Sequence, residues 1–536
     1  MLEHLELVIF GLLVAVAGLV QLSYVLKVPY PVFLVLGGLA LGLIPGLPMI
    51  ELPPDLVFLI FLPPLLYSSA FFSSWRDLKV NLRPIVLLAI GLVLVTVVTV
   101  AVVAHAAIGL SWQAAFVLGV IVSPTDPVAA TAIANRLGMP RRIVTILEGE
   151  SLINDGMALV LYRTVVAAAV VGSFSVFEAG LDFVLSSIGG VAIGLLVGRV
   201  IARIRRWVED PLVEITISLF TGYAAYLPAE ELGASGVLAV VAAGVYLGRQ
   251  SSVMTAPRAR LEALSVWEVV PFLLNSVLFI LIGLQLPTIL EGLSDAYSMG
   301  SLILSAALVS LTVIVTRLLW VFPKAYFPRR LLPRRLRELD PYPPWQHVVA
   351  IGYTGMRGAV SLAAALSLPL TAEGGAPFPG RDLILFLTFC VILVTLVLQG
   401  LSLPFLIRWL GLAGDVDEEE REEIKARQLA AEAALGRIEE LEGEEWVREE
   451  TAERMRDLYE FRRRRFATRL TGQSENGEED GDNYEERTEA YQRFRRELLG
   501  AERAEVLKLR DQGRLSDETR RRIEWDLDLE DARLEI

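Results

Sequence analysis

Long apolar segments recur along about the first three quarters of the chain and are separated by short polar connections. A helix needs about 20 apolar residues to cross the hydrocarbon core of a bilayer. The pattern therefore predicts thirteen transmembrane helices, over residues 5–26, 31–48, 55–72, 84–108, 112–135, 142–172, 177–204, 211–228, 234–248, 264–286, 298–322, 346–370 and 382–410. The first segment lacks a basic flank and a small-residue cleavage site, so we interpret it as a span rather than a signal peptide.

The polar connections alternate in charge. Those after odd-numbered spans carry most of the Lys and Arg, such as Arg76, Lys79 and Arg83, whereas those after even-numbered spans carry mainly Asp and Glu. Because basic loops stay in the cytoplasm, the alternation predicts an N-terminus outside the cell and a C-terminus in the cytoplasm. Thirteen spans with this orientation allow two six-helix halves of opposite topology, as an inverted repeat requires.

Two predicted spans, the fifth and the twelfth, contain helix breakers. Residues 123–127 of the fifth span read SPTDP, and each proline removes a backbone donor. Residues 352–358 of the twelfth span read GYTGMRG, whose three glycines allow the backbone to open. Proline and glycine are common in membrane helices, but each break here also carries a charge, Asp126 or Arg357. Breaks in corresponding spans of two halves indicate a transporter site near the middle of the membrane.

The sixth span carries polar groups that are costly in lipid unless they are paired or hydrated. These are Glu150, Ser151, Asn154 and Asp155, and the spacing of four places Ser151 and Asp155 on one helix face. Hydroxyl, amide and carboxylate oxygens are hard ligands that suit an alkali cation. The alternative is a polar contact between helices. A lone aspartate in lipid favours the ion site.

Composition divides the chain into two parts. Mean hydropathy is +0.52 overall, yet residues 411–536 contain 62 Asp, Glu, Lys and Arg in 126 residues. We therefore predict a transmembrane domain over residues 1–410 and a charged, mostly helical cytoplasmic tail over 411–536, with a linker near 471–483. A tail that binds a regulatory ligand or protein is preferred over a merely solvated tail.

Residue counts exclude several classes of site. One cysteine, Cys390, cannot form an intrachain disulfide, and three histidines leave little for a zinc or iron–sulfur centre. The chain has no basic domain, which argues against nucleic-acid binding. We expect no bound cofactor. We expect the lipid bilayer to surround most of the protein.

Three motifs together resemble the sodium/proton exchanger family, the electroneutral branch of the monovalent cation:proton antiporters, in its bacterial type. They are DPVA at 126–129, GESLIND at 149–155 and GMRGA at 355–359. The resemblance covers roughly residues 5–410 and does not extend reliably into the tail.

The resemblance implies an all-α polytopic homodimer. Inverted six-helix repeats would contain two crossed discontinuous helices, spans five and twelve, and a core bundle would move against a dimerisation scaffold. Asp155 would be the shared site for the cation and the proton, and Thr125 and Ser151 would help to ligate the ion. Asn154 matches an asparagine that distinguishes this branch from relatives with two adjacent aspartates.

The remaining buried charges acquire roles from the same resemblance. Asp126 would offset the positive ends of the broken helices and Arg357 the negative ends. Glu150 would pair with Arg317 of the eleventh span, which leaves Asp155 as the titratable group of the site. One departure concerns the third span, where many relatives carry an acidic residue and this chain has Ser68 and Ser69.

The sequence therefore predicts a multi-pass protein of the cell membrane that exchanges Na⁺, or Li⁺ or K⁺, for H⁺. It predicts a transporter rather than an enzyme. A cation channel of related fold is the alternative, which a coupled-flux assay distinguishes. An intramembrane aspartyl protease using Asp126 and Asp155 is a third reading, disfavoured by the two prolines that flank Asp126.

Overall fold

The computed structural model describes residues 2–44, 54–171, 176–254, 257–291, 293, 297–331, 342–371, 377–414, 416–444, 446–471, 480–512, 514 and 517–534. Within these ranges the regular secondary structure is helical, apart from one isolated bridge between Thr371 and Pro377. It forms two compact units, Met1–Gly414 and Asp415–Ile536. The all-helical class predicted from the apolar pattern is confirmed.

The first unit contains seventeen helices in its described part. They are α1 (Leu2–Leu26), α2 (Tyr30–Gly42), α3 (Pro54–Phe72), α4 (Trp75–Val80), α5 (Leu82–Ile108), α6 (Trp112–Ile121), α7 (Val128–Leu137), α8 (Arg141–Val171), α9 (Val176–Arg205), α10 (Pro211–Glu231), α11 (Gly236–Met254), α12 (Pro257–Leu284), α13 (Leu286–Glu291), α14 (Met299–Leu331), α15 (Trp345–Tyr353), α16 (Ala359–Leu366) and α17 (Arg381–Trp409).

Seven of these helices are long and apolar enough to cross a membrane within the described ranges: α5, α8, α9, α10, α12, α14 and α17. Shorter apolar stretches lie in α1, α2, α3 and α6. The predicted second span ends early, because its helix stops at Gly42 and residues 45–48 lie outside the described part. The count of thirteen spans stays a prediction.

Helix α9 shows what surrounds this unit. Its outward face carries large apolar side chains, among them Ile188 and Leu196, each 63% exposed. A contiguous apolar surface of this kind is unfavourable in water. In a bilayer the same side chains contact lipid, so the exposure fits a membrane-embedded helix.

Small residues let helices α9 and α11 approach closely. A Cβ atom added to Gly194 would lie 2.1 Å from the carbonyl oxygen of Ala239, which is far inside van der Waals contact. Because lipid tails are as apolar as leucine, helices in membranes associate largely through such close backbone packing.

Two of the membrane helices are interrupted where the sequence predicts breaks. The first break lies between α6 and α7, where residues 123–127 are not helical, and the second between α15 and α16, at residues 354–358. The backbone N–H of Asp126 donates to the carbonyl of Met356 at 2.8 Å, so the two breaks contact each other. Each break thus satisfies backbone groups that the other would leave unpaired in lipid.

The second unit consists of four helices in its described part, α18 (Val416–Leu441), α19 (Glu449–Thr471), α20 (Asp480–Asp511) and α21 (Asp517–Leu534). Ion pairs join the last two, for example from Arg503 to Asp528 at 2.8 Å and to Asp531 at 3.1 Å. Residues 472–479 of the predicted linker lie outside the described residues. The helix after them begins at Asp480, inside the predicted linker.

Candidate functional site

A cavity of about 230 Å³ lies beside both helix breaks. Residues 124–128 of the first break and 358–361 around the second contribute to its wall. Helix α8 supplies a stripe at helical spacing, and the polar wall residues from these elements include Thr125, Asp126, Glu148, Ser151 and Asp155. Four of the residues predicted from the sequence therefore meet at one cavity.

Asp155 occupies the middle of α8, as the fifteenth of its 31 residues. It is 7% exposed, and Ser151 Oγ donates to its Oδ2 at 3.4 Å, a long hydrogen bond. Within the described ranges no basic side chain forms an ion pair with this carboxylate. The cavity therefore contains an acidic group whose charge no fixed cation balances.

Glu150 and Arg317 lie on the neighbouring face of α8 and on α14, and each is 1% exposed. The guanidinium binds both carboxylate oxygens, with a distance of 2.8 Å from Nη2 to Oε2. Arg317 also donates to the carbonyl oxygen of Ile351 at 3.0 Å from Nη2. Because this carbonyl belongs to the last turn of α15, the pair also fixes one side of the second break.

Thr125 connects the ion pair to Asn154. The Thr125 hydroxyl donates to Glu150 Oε1 at 3.1 Å and accepts from Asn154 Nδ2 at 2.8 Å. Asn154 does not line the cavity, because the residue before Asp155 is rotated by about 100° around the helix. The structure thus places Asn154 behind Thr125 rather than beside the cavity.

Asp126 lies at the N-terminal ends of both half-helices that follow the breaks. Its Oδ1 accepts from the backbone N–H of Val128, the first residue of α7, at 2.9 Å. A Cβ atom at Gly358, just before α16, would lie 1.8 Å from its Oδ2, so only glycine allows this approach. A carboxylate in this position is stabilised by the positive ends of two helix dipoles.

Arg357 has the opposite surroundings. It is fully buried, and its Nε donates to the carbonyl oxygen of Val122, at the end of α6, at 3.1 Å. A second donor reaches the carbonyl of Gly355, just after α15. The backbone N–H of Arg357 donates to Thr395 Oγ1 at 3.1 Å, where α17 begins a π turn. The guanidinium therefore satisfies carbonyls at the negative ends of the two preceding half-helices.

The chemistry of the cavity wall follows from these contacts. Glu150 is bound by Arg317 and Asp126 accepts from the N-terminal end of α7, whereas Asp155 lines the cavity with no ion-pair partner among the described residues. Carboxylate and hydroxyl oxygens are the ligands that hard cations prefer. No group of three or more His, Cys, Asp and Glu suited to a resident metal occurs in the part of the chain that the structure describes.

Comparison with known proteins identifies the family. Residues 11–409 match the family described as sodium/hydrogen exchanger, transmembrane. This chain belongs to that family. It is therefore a multi-pass membrane protein, and its family is one of transporters.

Relatives of this exchanger match it over most of their length. An uncharacterized Na(+)/H(+) exchanger of Mycobacterium tuberculosis is 36% identical over 536 aligned residues, covering 98% of this chain and 96% of its own. The Na(+)/H(+) antiporter ApNhaP of Aphanothece halophytica is 35% identical over 442 residues, covering 81% of each chain. The first of these alignments includes the tail, to which the motif-based resemblance did not reliably extend.

A solved structure shares the fold of this exchanger. The sodium proton antiporter MjNhaP1 from Methanocaldococcus jannaschii at pH 8 superposes with a TM-score of 0.59 at 22% identity, covering 76% of this chain and 99% of its own.

Several cavity residues of the exchanger were not predicted from the sequence. Glu148 of α8 and Asn275 of α12 both line the cavity. The spacing of Glu148 from Ser151 and Asp155, three and seven residues, could have indicated the shared face. Ser68 and Ser69, noted as a departure from many relatives, also line this cavity.

A second buried ion pair was also missed. Arg205 Nη2 lies 2.8 Å from Glu214 Oε1, and the two side chains are 3% and 5% exposed. Arg205 directly follows the predicted span 177–204 and Glu214 lies one turn inside the predicted span 211–228, so the sequence alone places both near the membrane surface. The two residues are nine positions apart and lie on different helices, with a turn between them. The spacing of residues along one helix therefore could not predict their contact.

Proposed function

We propose that this exchanger carries out antiport of a monovalent alkali cation and a proton, with Asp155 as the group that binds each in turn. Sodium is the first candidate, with Li⁺ or K⁺ as further substrates. The observation that carries the proposal is the contrast at the site: within the described residues Asp155 has no ion-pair partner, whereas Glu150 is bound by Arg317 and Asp126 accepts from the N-terminal end of α7.

The ligands of the cation would come from one face of α8 and from the first break. Asp155 would supply the charge and Ser151 its hydroxyl oxygen. The Thr125 hydroxyl keeps one lone pair after accepting from Asn154. In this arrangement Asn154 holds the Thr125 side chain and cannot itself take up a second proton.

A single carboxylate makes the exchange electroneutral. With either one proton or one monovalent cation bound, Asp155 is neutral. The empty carboxylate is charged, and moving an unpaired charge through a gate of low dielectric constant is far costlier. The protein would therefore change conformation mainly when loaded, which couples the two ions one to one.

The same coupling argues against a channel. A channel leaves its ion path open to both sides, so a bound proton would not be required for return. An antiporter exposes Asp155 alternately to each side. We propose that the two broken helices cross at mid-membrane within inverted six-helix repeats, and that their contact through Asp126 and Met356 moves as one body.

We further propose a homodimer in the cell membrane, with the N-terminus outside and the tail in the cytoplasm. The alternation of basic loops supports this orientation. The tail would act as a regulatory module that binds a ligand or protein. A chain ending at Gly414 should still exchange ions, with an altered pH response.

The deciding experiment measures coupling in vesicles reconstituted with the full chain. A proton gradient should drive uptake of ²²Na⁺, and a sodium gradient should drive proton flux of equal magnitude. Neither flux should change when a potassium–valinomycin potential is imposed. Sodium flux without proton flux would favour the channel, and a steady dependence on voltage would contradict 1:1 exchange.

A further inference from the structure

A second cavity, of about 370 Å³, is lined by residues that the ion site does not use. Its wall carries three guanidinium groups, from Arg205, Arg249 and Arg260. Within the described ranges no wall residue is Asp or Glu. A cavity with several cationic groups and no acidic group in its wall is suited to an anion.

The cavity lies where several membrane helices end together. Residues from the C-terminal ends of α3, α9 and α11 line it, together with residues near the start of α12. The pattern of basic loops assigns each of these ends to the cytoplasmic side. With the orientation proposed above, the cavity lies at the level of the inner leaflet headgroups.

Arg205 is the buried arginine of this cavity wall. It is 3% exposed and is held by Glu214 at 2.8 Å, and its guanidinium carbon lies 6.0 Å from the centre of the Phe71 ring. Arg249 and Arg260 add two further guanidinium groups to the wall. Both are exposed, so a ligand can reach them without rearrangement of the core.

We propose that this cavity binds the phosphate group of an anionic ligand, and that the ligand is a membrane phospholipid. A guanidinium group can donate two parallel hydrogen bonds to two phosphate oxygens. Arginine is therefore a common residue in phosphate-binding sites. Basic cavities between membrane helices on the cytoplasmic side bind anionic headgroups.

The apolar part of the wall favours a lipid over a soluble phosphate. Phe72, Trp75 and Leu264 line the same cavity and are 48%, 38% and 42% exposed. The acyl chains of a lipid can cover these apolar side chains beside the arginines. A soluble phosphate would leave the same apolar surface exposed. Trp75 is also of the residue type that concentrates at headgroup depth.

The test compares two double variants of the full chain, purified in detergent. Arg249→Gln with Arg260→Gln removes two charges from the wall, and both positions are exposed, so folding is preserved. Arg203→Gln with Arg206→Gln is the matched control, because these exposed arginines flank Arg205 but do not line the cavity. Thermal unfolding is followed while dioleoyl phosphatidylglycerol, dioleoyl phosphatidylcholine or sn-glycerol 3-phosphate is titrated.

We expect phosphatidylglycerol to raise the unfolding temperature of the unmodified chain more than phosphatidylcholine does. The concentration of phosphatidylglycerol that gives half of the maximal rise in unfolding temperature should increase at least tenfold in the cavity variant. It should stay unchanged in the control. Equal stabilisation by glycerol 3-phosphate, lost in the same variant, would support the phosphate site but overturn its assignment to a lipid. Equal weakening in both variants, or no difference between the two lipids, would overturn the proposal altogether.

Discussion

Two faces of helix α8 carry buried acidic groups in opposite surroundings. On one face Glu150 is bound by Arg317 through both oxygens and receives a further hydrogen bond from Thr125. On the other face Asp155 has one long hydrogen bond, from Ser151, and opens onto a cavity. The two carboxylates are only five positions apart on the same helix. The contrast in their surroundings therefore comes from the side chains that contact them.

The comparison separates a structural charge from a transporting one. A buried carboxylate with a guanidinium partner keeps its charge, because losing either charge would leave the other buried without a counterion. A buried carboxylate without such a partner is stable only when a mobile cation or proton occupies it. In the proposed mechanism, exchange uses the second kind, whereas the first kind joins helices α8 and α14.

Replacement of Asp155 should have the largest effect on transport. Asp155→Asn should fold with an unfolding temperature close to that of the unmodified chain, because the amide is nearly isosteric and leaves no partner stranded. It should abolish exchange, since an amide neither takes up a proton nor balances a cation. Proton flux and ²²Na⁺ uptake in vesicles measure this.

The matched change on the other face is Glu150→Gln, which also converts a carboxylate to an amide. It should lower stability strongly, because Arg317 then lies buried without its counterion. Exchange that survives Asp155→Asn, or equal stability of the two amide variants, would contradict the contrast between the faces.

Breaking the ion pair should give the next largest effect, on stability. Glu150→Ala or Arg317→Ala should each lower the free energy of unfolding by about 3–5 kcal/mol, because one buried charge is stranded. Arg317→Ala should be the more damaging change, since the carbonyl of Ile351 also loses its donor.

The double variant Glu150→Ala with Arg317→Ala should recover part of this loss, because no unpaired charge remains. Thermal unfolding of the four proteins in detergent provides the double-mutant cycle. Additive losses in that cycle would show that the two side chains do not interact in the membrane protein.

Competition at Asp155 predicts how exchange depends on pH. A proton and a cation cannot occupy the same carboxylate, so lowering the pH should raise the KM for Na⁺, by up to tenfold per pH unit. The maximal rate at saturating Na⁺ should stay constant over the same range. A rate series at several pH values and Na⁺ concentrations measures both, and a falling maximal rate at constant KM would place the proton on another group.

The sequence was sufficient for the features that depend on local pattern. Apolar segments of about 20 residues predicted the all-helical class, and prolines or glycines beside Asp126 and Arg357 predicted the breaks. The stripe of Ser151 and Asp155 followed from helical spacing. These predictions succeed because the bilayer requires each backbone segment to satisfy its own hydrogen bonds.

Features that depend on packing between distant segments were less accessible. Arg205 and Glu214 read as span-end charges, and only the packed helices show them as a buried pair. Asn154 read as a member of the ion site, and the rotation of α8 turns it toward Thr125 instead. Such assignments require the orientation of one helix against another, which the motif alone does not contain.

The smallest effect is expected for Glu148, which α8 contributes to the cavity wall in addition to Asp155. The two residues are seven positions apart, which corresponds to about 10 Å along the helix. At this separation a unit charge contributes about 0.4–1.6 kcal/mol for effective dielectric constants of 80 to 20. Its role would be to raise the local concentration of cations in the cavity rather than to ligate the transported ion.

Glu148→Gln should therefore raise the KM for Na⁺ by about twofold to fifteenfold and leave the maximal rate unchanged. Glu148→Asp is the matched control, because it keeps the charge on the same face and should restore most of the affinity. Initial rates of ²²Na⁺ uptake at fixed pH measure both variants. Loss of the maximal rate in Glu148→Gln would instead make this group part of the transport step, and the cavity face of α8 would then hold two exchanging carboxylates rather than one.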